Sequence, residues 1–228
     1  MLNFPESHLL HSWPLLFEQM ECLSLSPEDW DELLANGWRH FGKDFFRSSI
    51  MEETTQLKRQ VALRVEVDEF FRTKSQRRVW RKNEDLEVAL APALPGEEEE
   101  ALFLKHSQRF SRNVPESLSV FLGAKPDGVP CPCTQVSVRQ GGDLVAASFL
   151  ACGAEGCSSI YGIFDPELSS RSLGVFTMLV ELSYAREKGL RFYYSGYATL
   201  EPSCYDYKKA FSALSYFDWK GKWIPYQG

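Results

Sequence analysis

Residues 165–197, DPELSSRSLGVFTMLVELSYAREKGLRFYYSGY, read as a loop, a helix of about four or five turns and a strand. Ser170 or Ser172 is a candidate N-cap, and Gly189 fits the helix stop. From Leu173 to Lys188 the helix carries two apolar stripes. One is Leu173, Phe176, Val180 and Tyr184; the other is Val175, Met178, Leu179 and Leu182. A helix apolar on two faces is buried on two faces, so it belongs inside a layered domain. Its first turn, with Arg171, Ser172, Leu173 and Gly174, offers unpaired N–H groups and a dipole that favour an anion. The strand after it, from Arg191, is aromatic and ends in Ser195-Gly196-Tyr197. A buried helix whose start meets the end of a buried strand builds a cleft.

The rest of the chain is large enough to complete such a domain. Its 228 residues permit one large domain or two small ones, and 44% hydrophobic content supplies a core. The net charge of -6 gives no global field for nucleic acid, so any such contact needs a local basic patch. No apolar run is long enough to span a bilayer, and MLNFPESHLLHSW lacks the basic and apolar regions of a signal peptide. The expectation is a soluble, cytoplasmic monomer. The six cysteines are Cys22, Cys131, Cys133, Cys152, Cys157 and Cys204. Cys131-Pro132-Cys133 is one residue too short for a zinc-ligand pair, so reduced structural thiols are expected, and no metal.

Taken in order, Pro5 to Met20 reads as an amphipathic helix, and Ser26-Pro27-Glu28-Asp29 opens a second that stops at Asn36-Gly37. Gly37 to Arg47 interleaves aromatics with cations between glycines. It is either a compact loop with aromatic anchors or a surface that clamps something flat or anionic. Leu63 to Val67 alternates as a strand. Phe70 to Asn83, FFRTKSQRRVWRKN, is the densest basic patch; its charges share one sign, so ion pairing along a helix does not explain it. It is either a solvated face or a phosphate contact. Beyond it come a strand at Leu86–Ala91, a helix from Glu97 to about Arg112, and a short helix at Ser117–Leu122. Strands follow at Gln135–Arg139, Leu144–Ala151 and Ser158–Phe164, the first two joined by a turn at Gly141-Gly142. After the central helix and its strand come a short helix at Tyr205–Phe211 and a last strand or hairpin from Tyr216 to Ile224.

That order resembles the GCN5-related acyltransferase fold. The resemblance implies an α+β protein with a central mixed sheet flanked by helices, here with a smaller, mostly helical N-terminal lobe. Residues 1–83 would form that lobe with the basic patch, and 84–228 the acyltransferase domain. In that superfamily an R/Q-x-x-G-x-G/A loop cradles the pyrophosphate of acyl-coenzyme A. Arg171 and Gly174 match it, but Phe176 stands where a small residue is expected, which argues against coenzyme A as donor.

Five motifs in order also resemble the arginyl-tRNA–protein transferase family, including its bacterial leucyl-transferring members. They are Gly37-Trp38-Arg39-His40-Phe41-Gly42, Ser75-Gln76-Arg77-Arg78, Asp165-Pro166 with Ser172-Leu173-Gly174, Tyr193-Tyr194 with Gly196-Tyr197, and Tyr207-Lys208 with Phe211. The resemblance runs from about Leu33 to the end. It implies transfer of an amino acid, arginine or leucine, from charged tRNA to the N-terminal α-amine of a protein or peptide, with no cofactor because the ester is already activated. The family's N-terminal cysteine cluster is missing: only Cys22 precedes Gly37, and residues 50–63 contain none.

The site expected from these readings has four catalytic candidates. Asp165 either caps its loop or orients the acceptor amine. Tyr194 and Tyr197 either stack on the terminal adenosine, donate to an oxyanion, or pack as core aromatics. Glu181 is either a buried base or the partner of an N-terminal arginine. Arg77, Arg78, Arg81, Arg171, Ser172, Gly174 and Lys208 are the candidates for holding donor or tRNA, with Arg77, Arg78 and Lys208 also open to an acceptor carboxylate. Two alternatives stand beside the transferase: a coenzyme A-dependent N-acetyltransferase, and a non-catalytic tRNA-binding relative.

Overall fold

The computed structural model describes residues 12–53, 56–110 and 115–227. Twelve strands and five α-helices occur among them. In the N-terminal part these are β1 (Phe17–Glu21), α1 (Pro27–Ala35), β2 (Arg39–Phe41), β3 (Asp44–Ser48), β4 (Ile50–Glu53), β5 (Gln56–Glu66) and α2 (Lys74–Lys82). Next come β6 (Glu87–Pro92), α3 (Glu97–Ser107), α4 (Ser119–Leu122), β7 (Cys133–Gln140), β8 (Asp143–Cys152) and β9 (Gly156–Phe164). The C-terminal part holds α5 (Leu173–Glu187), β10 (Phe192–Thr199), β11 (Leu214–Phe217) and β12 (Trp223–Pro225). Short 3-10 segments precede α5 (Pro166–Arg171) and follow β10 (Asp206–Ala210).

The protein is α+β, with a large mixed sheet flanked by helices, as expected. The strands run β12-β11-β5-β10-β9-β8-β7-β6, with β4 paired to β5. Within it β9 and β10, joined through α5, are the parallel neighbours. Gly141 and Gly142 both take positive φ, at 59° and 95°, and close the β7–β8 hairpin. α5 and α2 cover one face of the sheet, while α1, α3 and α4 pack on the other. Both expected stripes of α5 are spent on core: Leu173, Phe176 and Val180 in one cluster, Met178, Leu179 and Leu182 in another. Gly189, at φ +69°, follows the helix end as expected.

The N-terminal region differs from the mostly helical lobe expected. The helical reading of Pro5–Met20 lies partly outside the described residues, and Phe17–Glu21 is a strand. α1 begins as expected, with the Ser26 side chain accepting from the Asp29 N–H. The stretch after it, however, is a β2–β3 hairpin rather than a loop. Gly42 at φ +50° makes the two-residue turn, and β1 adds a third strand. Its alternating aromatics suit a pleated surface, with Phe45 inward and Phe41 on Phe121. β5 lies inside the large sheet between β11 and β10, so that sheet draws strands from both sides of position 83.

Candidate functional site

The site grows from a fork in the sheet. β9 and β10 pair only over Phe192–Tyr194 against Gly156–Ser158, and then separate. Each strand is irregular where they part. β9 shifts register against β8 between Ser159 and Tyr161, and β10 shifts against β5 between Tyr194 and Gly196. A fork leaves backbone groups without ladder partners, and three cations stand at its carbonyls. Arg39 Nη2 donates to Ser159 O at 2.8 Å and Ile160 O at 3.3 Å. Lys208 Nζ donates to Tyr197 O at 3.2 Å, and Lys209 Nζ to Thr199 O at 3.0 Å. Ser158 and Ser195 flank the fork, with buried hydroxyls that lack a partner among the described residues.

The third face of α5 closes the fork from below. Gly174, Thr177 and Glu181 lie three and four residues apart, on one stripe. Thr177 Oγ1 donates back to Gly174 O, and a Cβ on Gly174 would meet the Phe164 ring at 3.2 Å. Glu181 has no exposed surface. It accepts from Tyr193 Oη at 2.6 Å and Ser159 Oγ at 3.3 Å. Burial pushes its carboxyl up to about 7, against the pull of those hydroxyls and of Arg39. The expected N-terminal arginine is therefore present as Arg39, but as a neighbouring charge; the direct partners are hydroxyls.

Arg39 is only 7% exposed and crosses the sheet at Gly196. A Cβ there would stand 1.6 Å from Arg39 Nη1 and 3.3 Å from Lys208 Nζ, and Gly196 is held at φ +90°. Only glycine admits both the backbone turn and the guanidinium. Lys208 is half-buried, and burial, then the charge of Arg39, pushes its amine down to about 7. The fork thus holds an acid and an amine that both titrate near neutrality, in reach of one buried guanidinium.

The remaining candidates do not gather there. Tyr194 projects to the opposite face from Tyr193, into the cluster with Trp30 and Phe192, and packs edge-on to Trp223. Tyr197 donates its hydroxyl to Gly37 O at 2.7 Å, so it anchors the β2–β3 hairpin. Asp165 caps the segment after β9, accepting from the Glu167 N–H at 3.0 Å and facing Lys105 at 3.4 Å. Of its two readings, this geometry is the cap. His40 donates Nδ1–H to Gly42 O while Nε2 accepts from the Trp30 indole, and burial pushes it down to about 4. His106 is buried beside Phe164, again pushed down to about 4.

Arg77, Arg78 and Arg81 are exposed on α2. Thr73 and Gln76 close a capping box at its start, and Gln76 Nε2 also reaches Ala210 O. Its far end is fastened to the loop before α5: Lys82 Nζ donates to Ser170 O, and Asn83 Nδ2 to Arg171 O. Arg171 forks onto Asp85 with two contacts of 2.8 Å, so its guanidinium is occupied rather than open to a donor phosphate. Ser172 sits at φ +55° with no side-chain cap bond. Phe176 is buried against Trp80 at 5.5 Å and packs in the cluster with Leu173 and Val180, so its ring is part of the core.

Arg39, Tyr193 and Ser159 are site groups that the sequence did not single out for roles. Arg39 lay inside the glycine-framed stretch already noted. Tyr193 was hidden by parity, since period 2 separates it from Tyr194 but does not say which face α5 covers. The cysteines are free, and Cys152 sits opposite Cys157 across β8–β9. Burial raises the thiols of Cys131, Cys133 and Cys157.

Comparison with known proteins matches residues 97–218 to the family described as arginine-tRNA-protein transferase, C terminus. An aspartate/glutamate leucyltransferase of Hahella chejuensis is 31% identical over 144 residues, covering 60% of this chain and 59% of that protein. One from Paramagnetospirillum magneticum is 30% identical, covering 69% and 66% respectively. The chain therefore spans about three fifths to two thirds of the length of these two relatives. Among solved structures, L-PGS from Bacillus licheniformis aligns with a TM-score of 0.46 at 13% identity, over 80% of this chain and 53% of that one.

Proposed function

This chain belongs to the arginine-tRNA-protein transferase family, and from that premise we propose that it moves an aminoacyl group from charged tRNA to the N-terminal α-amine of a protein or peptide. The observation that carries the proposal is the fork between β9 and β10. Where these strands part, Glu181 is buried against Tyr193, Arg39 bonds the Ser159 carbonyl, and Lys208 bonds the Tyr197 carbonyl. Acyl transfer to an amine needs a group to take the amine proton and fixed positive charge where the oxyanion develops. Glu181, poised near 7 and hydrogen-bonded to Tyr193, fits the first task. Arg39, immobilised by two carbonyls, fits the second. The ribose hydroxyl leaves as the amide forms, and the proton from the amine returns to it.

The tRNA would be held elsewhere. Arg77, Arg78 and Arg81 on α2 supply an exposed run of like charge, and Lys82 and Asn83 fasten that helix to the loop before α5. Gly174 and Ser172 at the α5 start remain candidates for the donor's end. Charged tRNA would place the reaction in the cytoplasm. Two relatives named aspartate/glutamate leucyltransferases make leucine the donor amino acid to try first.

The test is direct. The protein is incubated with a pool of labelled aminoacyl-tRNAs and peptides of varied N-terminal residue, with labelled acetyl-coenzyme A in parallel. Label should pass from an aminoacyl-tRNA to a peptide amine and not from acetyl-coenzyme A. No label on any peptide from any aminoacyl-tRNA sinks the proposal.

A further inference from the structure

A buried carboxyl acts as a base only if a proton can reach it. Glu181 has no exposed surface, and three hydroxyls favour its anion: Tyr193 from β10, Ser148 from β8 and Ser159 from β9. Tyr193 and Ser148 are themselves 0% and 1% exposed. Ser159 is the partly exposed one of the three. Its Oγ donates to Glu181 Oε1 at 3.3 Å, and its carbonyl accepts from Arg39 Nη2 at 2.8 Å. One residue therefore touches both the proposed base and the proposed oxyanion cation. The backbone explains how. Leu150 faces Ser159 across the β8–β9 ladder while Phe149 faces Tyr161, so Ile160 is an extra residue in β9. A bulge of this kind interrupts the ladder and re-aims the side chains beside it.

The other charged or titrating groups around Glu181 offer no such route among the described residues. Arg39 from β2 stays protonated at any working pH. Cys133 from β7 and Cys157 from β9 are buried, and burial raises both thiols. Lys208, beyond β10, feels the charge of Glu181 but gives its hydrogen bond to Tyr197 O.

We propose that the Ser159 hydroxyl relays the proton between the acceptor amine and Glu181. This rests on the transferase reading for the identity of the amine. The nitrogen lone pair forms the new C–N bond, and the carbonyl π pair moves onto oxygen beside Arg39. One N–H bond breaks with its electrons left on nitrogen. Its proton passes to Ser159 Oγ as Ser159 gives its own to Glu181 Oε1. On collapse, the C–O bond to the ribose breaks with its electrons on oxygen, and Glu181 returns the proton through Ser159 to that oxygen. The amine nitrogen and the oxyanion share one carbon, so the group that takes the proton must stand beside the group that holds the oxyanion. Ser159 meets that condition through its side chain and its carbonyl.

Two measurements test the relay, with thermal melting to verify that each variant folds. The first is an infrared difference titration of the protein alone, with the Glu181 carboxyl band identified by its loss in Glu181→Gln. Ser159→Ala removes a donor to the anion, so the midpoint should move to higher pH, and Ser159→Thr should bring it back. The second is the label-transfer assay. Ser159→Ala should lower kcat about a hundred-fold with KM for the peptide held within about two-fold, and Ser159→Thr should restore most of the rate. Ser159→Ala combined with Glu181→Gln should be no slower than Glu181→Gln alone, because the two act as one unit. A midpoint unmoved in Ser159→Ala overturns the proposal with or without label transfer. So does a Ser159→Ala enzyme that keeps its kcat, or a double variant slowed by the product of the single effects. Absence of label from the unaltered protein, with the midpoint shift present, would overturn the transferase reading and leave the link between Ser159 and Glu181 standing.

Discussion

At the scale of single residues, the group on which the proposed chemistry turns is Glu181. A carboxyl with no solvent contact holds its proton more tightly than in water, and two hydroxyls only partly restore the anion. Its position near 7 places the switch from acid to base at neutrality. Transfer should therefore rise with pH through about 7, and Glu181→Gln should lower kcat by about a hundred-fold or more while the protein still folds. A Glu181→Gln enzyme with an unchanged pH–rate profile would remove Glu181 from the mechanism. Tyr193→Phe takes away the hydroxyl that donates to the carboxylate, so the anion is less favoured and the profile should move to higher pH. Neither role was legible from the residues alone in full. Glu181 stood out as an acid in an apolar helix. Tyr193 could not be preferred to Tyr194, because the two alternate across a strand and only the placement of α5 decides between them.

At the scale of elements, α2 and β10 behave differently. α2 is a short, strongly basic helix held by caps at both ends rather than by a broad apolar face. Arg77→Ala with Arg78→Ala should leave thermal stability nearly unchanged, since both side chains are exposed. The same pair should weaken tRNA binding and lower the slope of log affinity against log salt by roughly one to two. An unchanged slope would show that these charges face solvent, not phosphate. In β10 the decisive residue is the glycine at the irregularity. Gly196→Ala combines a positive φ with a Cβ driven into Arg39. It should cost about 2–4 kcal/mol in urea unfolding, and a loss below about 0.5 kcal/mol would mean that Arg39 does not occupy the fork.

At the scale of the whole molecule, buried titrating groups set the response to acid. His40 and His106 are pushed down to about 4 from 6.5. A depressed base contributes stability above 6.5 that is lost as pH falls toward 4, about 3 kcal/mol for each histidine. Glu181 works in the other direction: raised from 4.5 to about 7, its contribution is complete below 4.5 and lost as pH rises through 7, again about 3 kcal/mol. Lys208 titrates between about 7 and 10.5, outside this window. Two histidines outweigh one glutamate, so stability should fall by a few kcal/mol between pH 6.5 and 4. Urea midpoints that stay level or rise over that range would contradict this balance.

By itself the sequence determined what is local or periodic. Ser26 before Pro27 fixed the start of α1, paired glycines fixed the β7–β8 turn, and the all-round apolar pattern of residues 173–188 required a helix covered on both sides. The family motifs were equally legible, because each is a short run of residues in a fixed order. Tertiary structure alone decided the site. It placed Arg39, well over a hundred residues away in the chain, onto the carbonyls of Ser159 and Ile160. It turned Arg171 toward Asp85 and Tyr197 toward Gly37, and so withdrew both from solvent-facing roles. The physical reason is that a helix or turn is written in contacts between near neighbours, whereas a fork in a sheet exists only once strands distant in sequence have paired and then parted. Which side chains enter it depends on register, parity and reach, which no local pattern records.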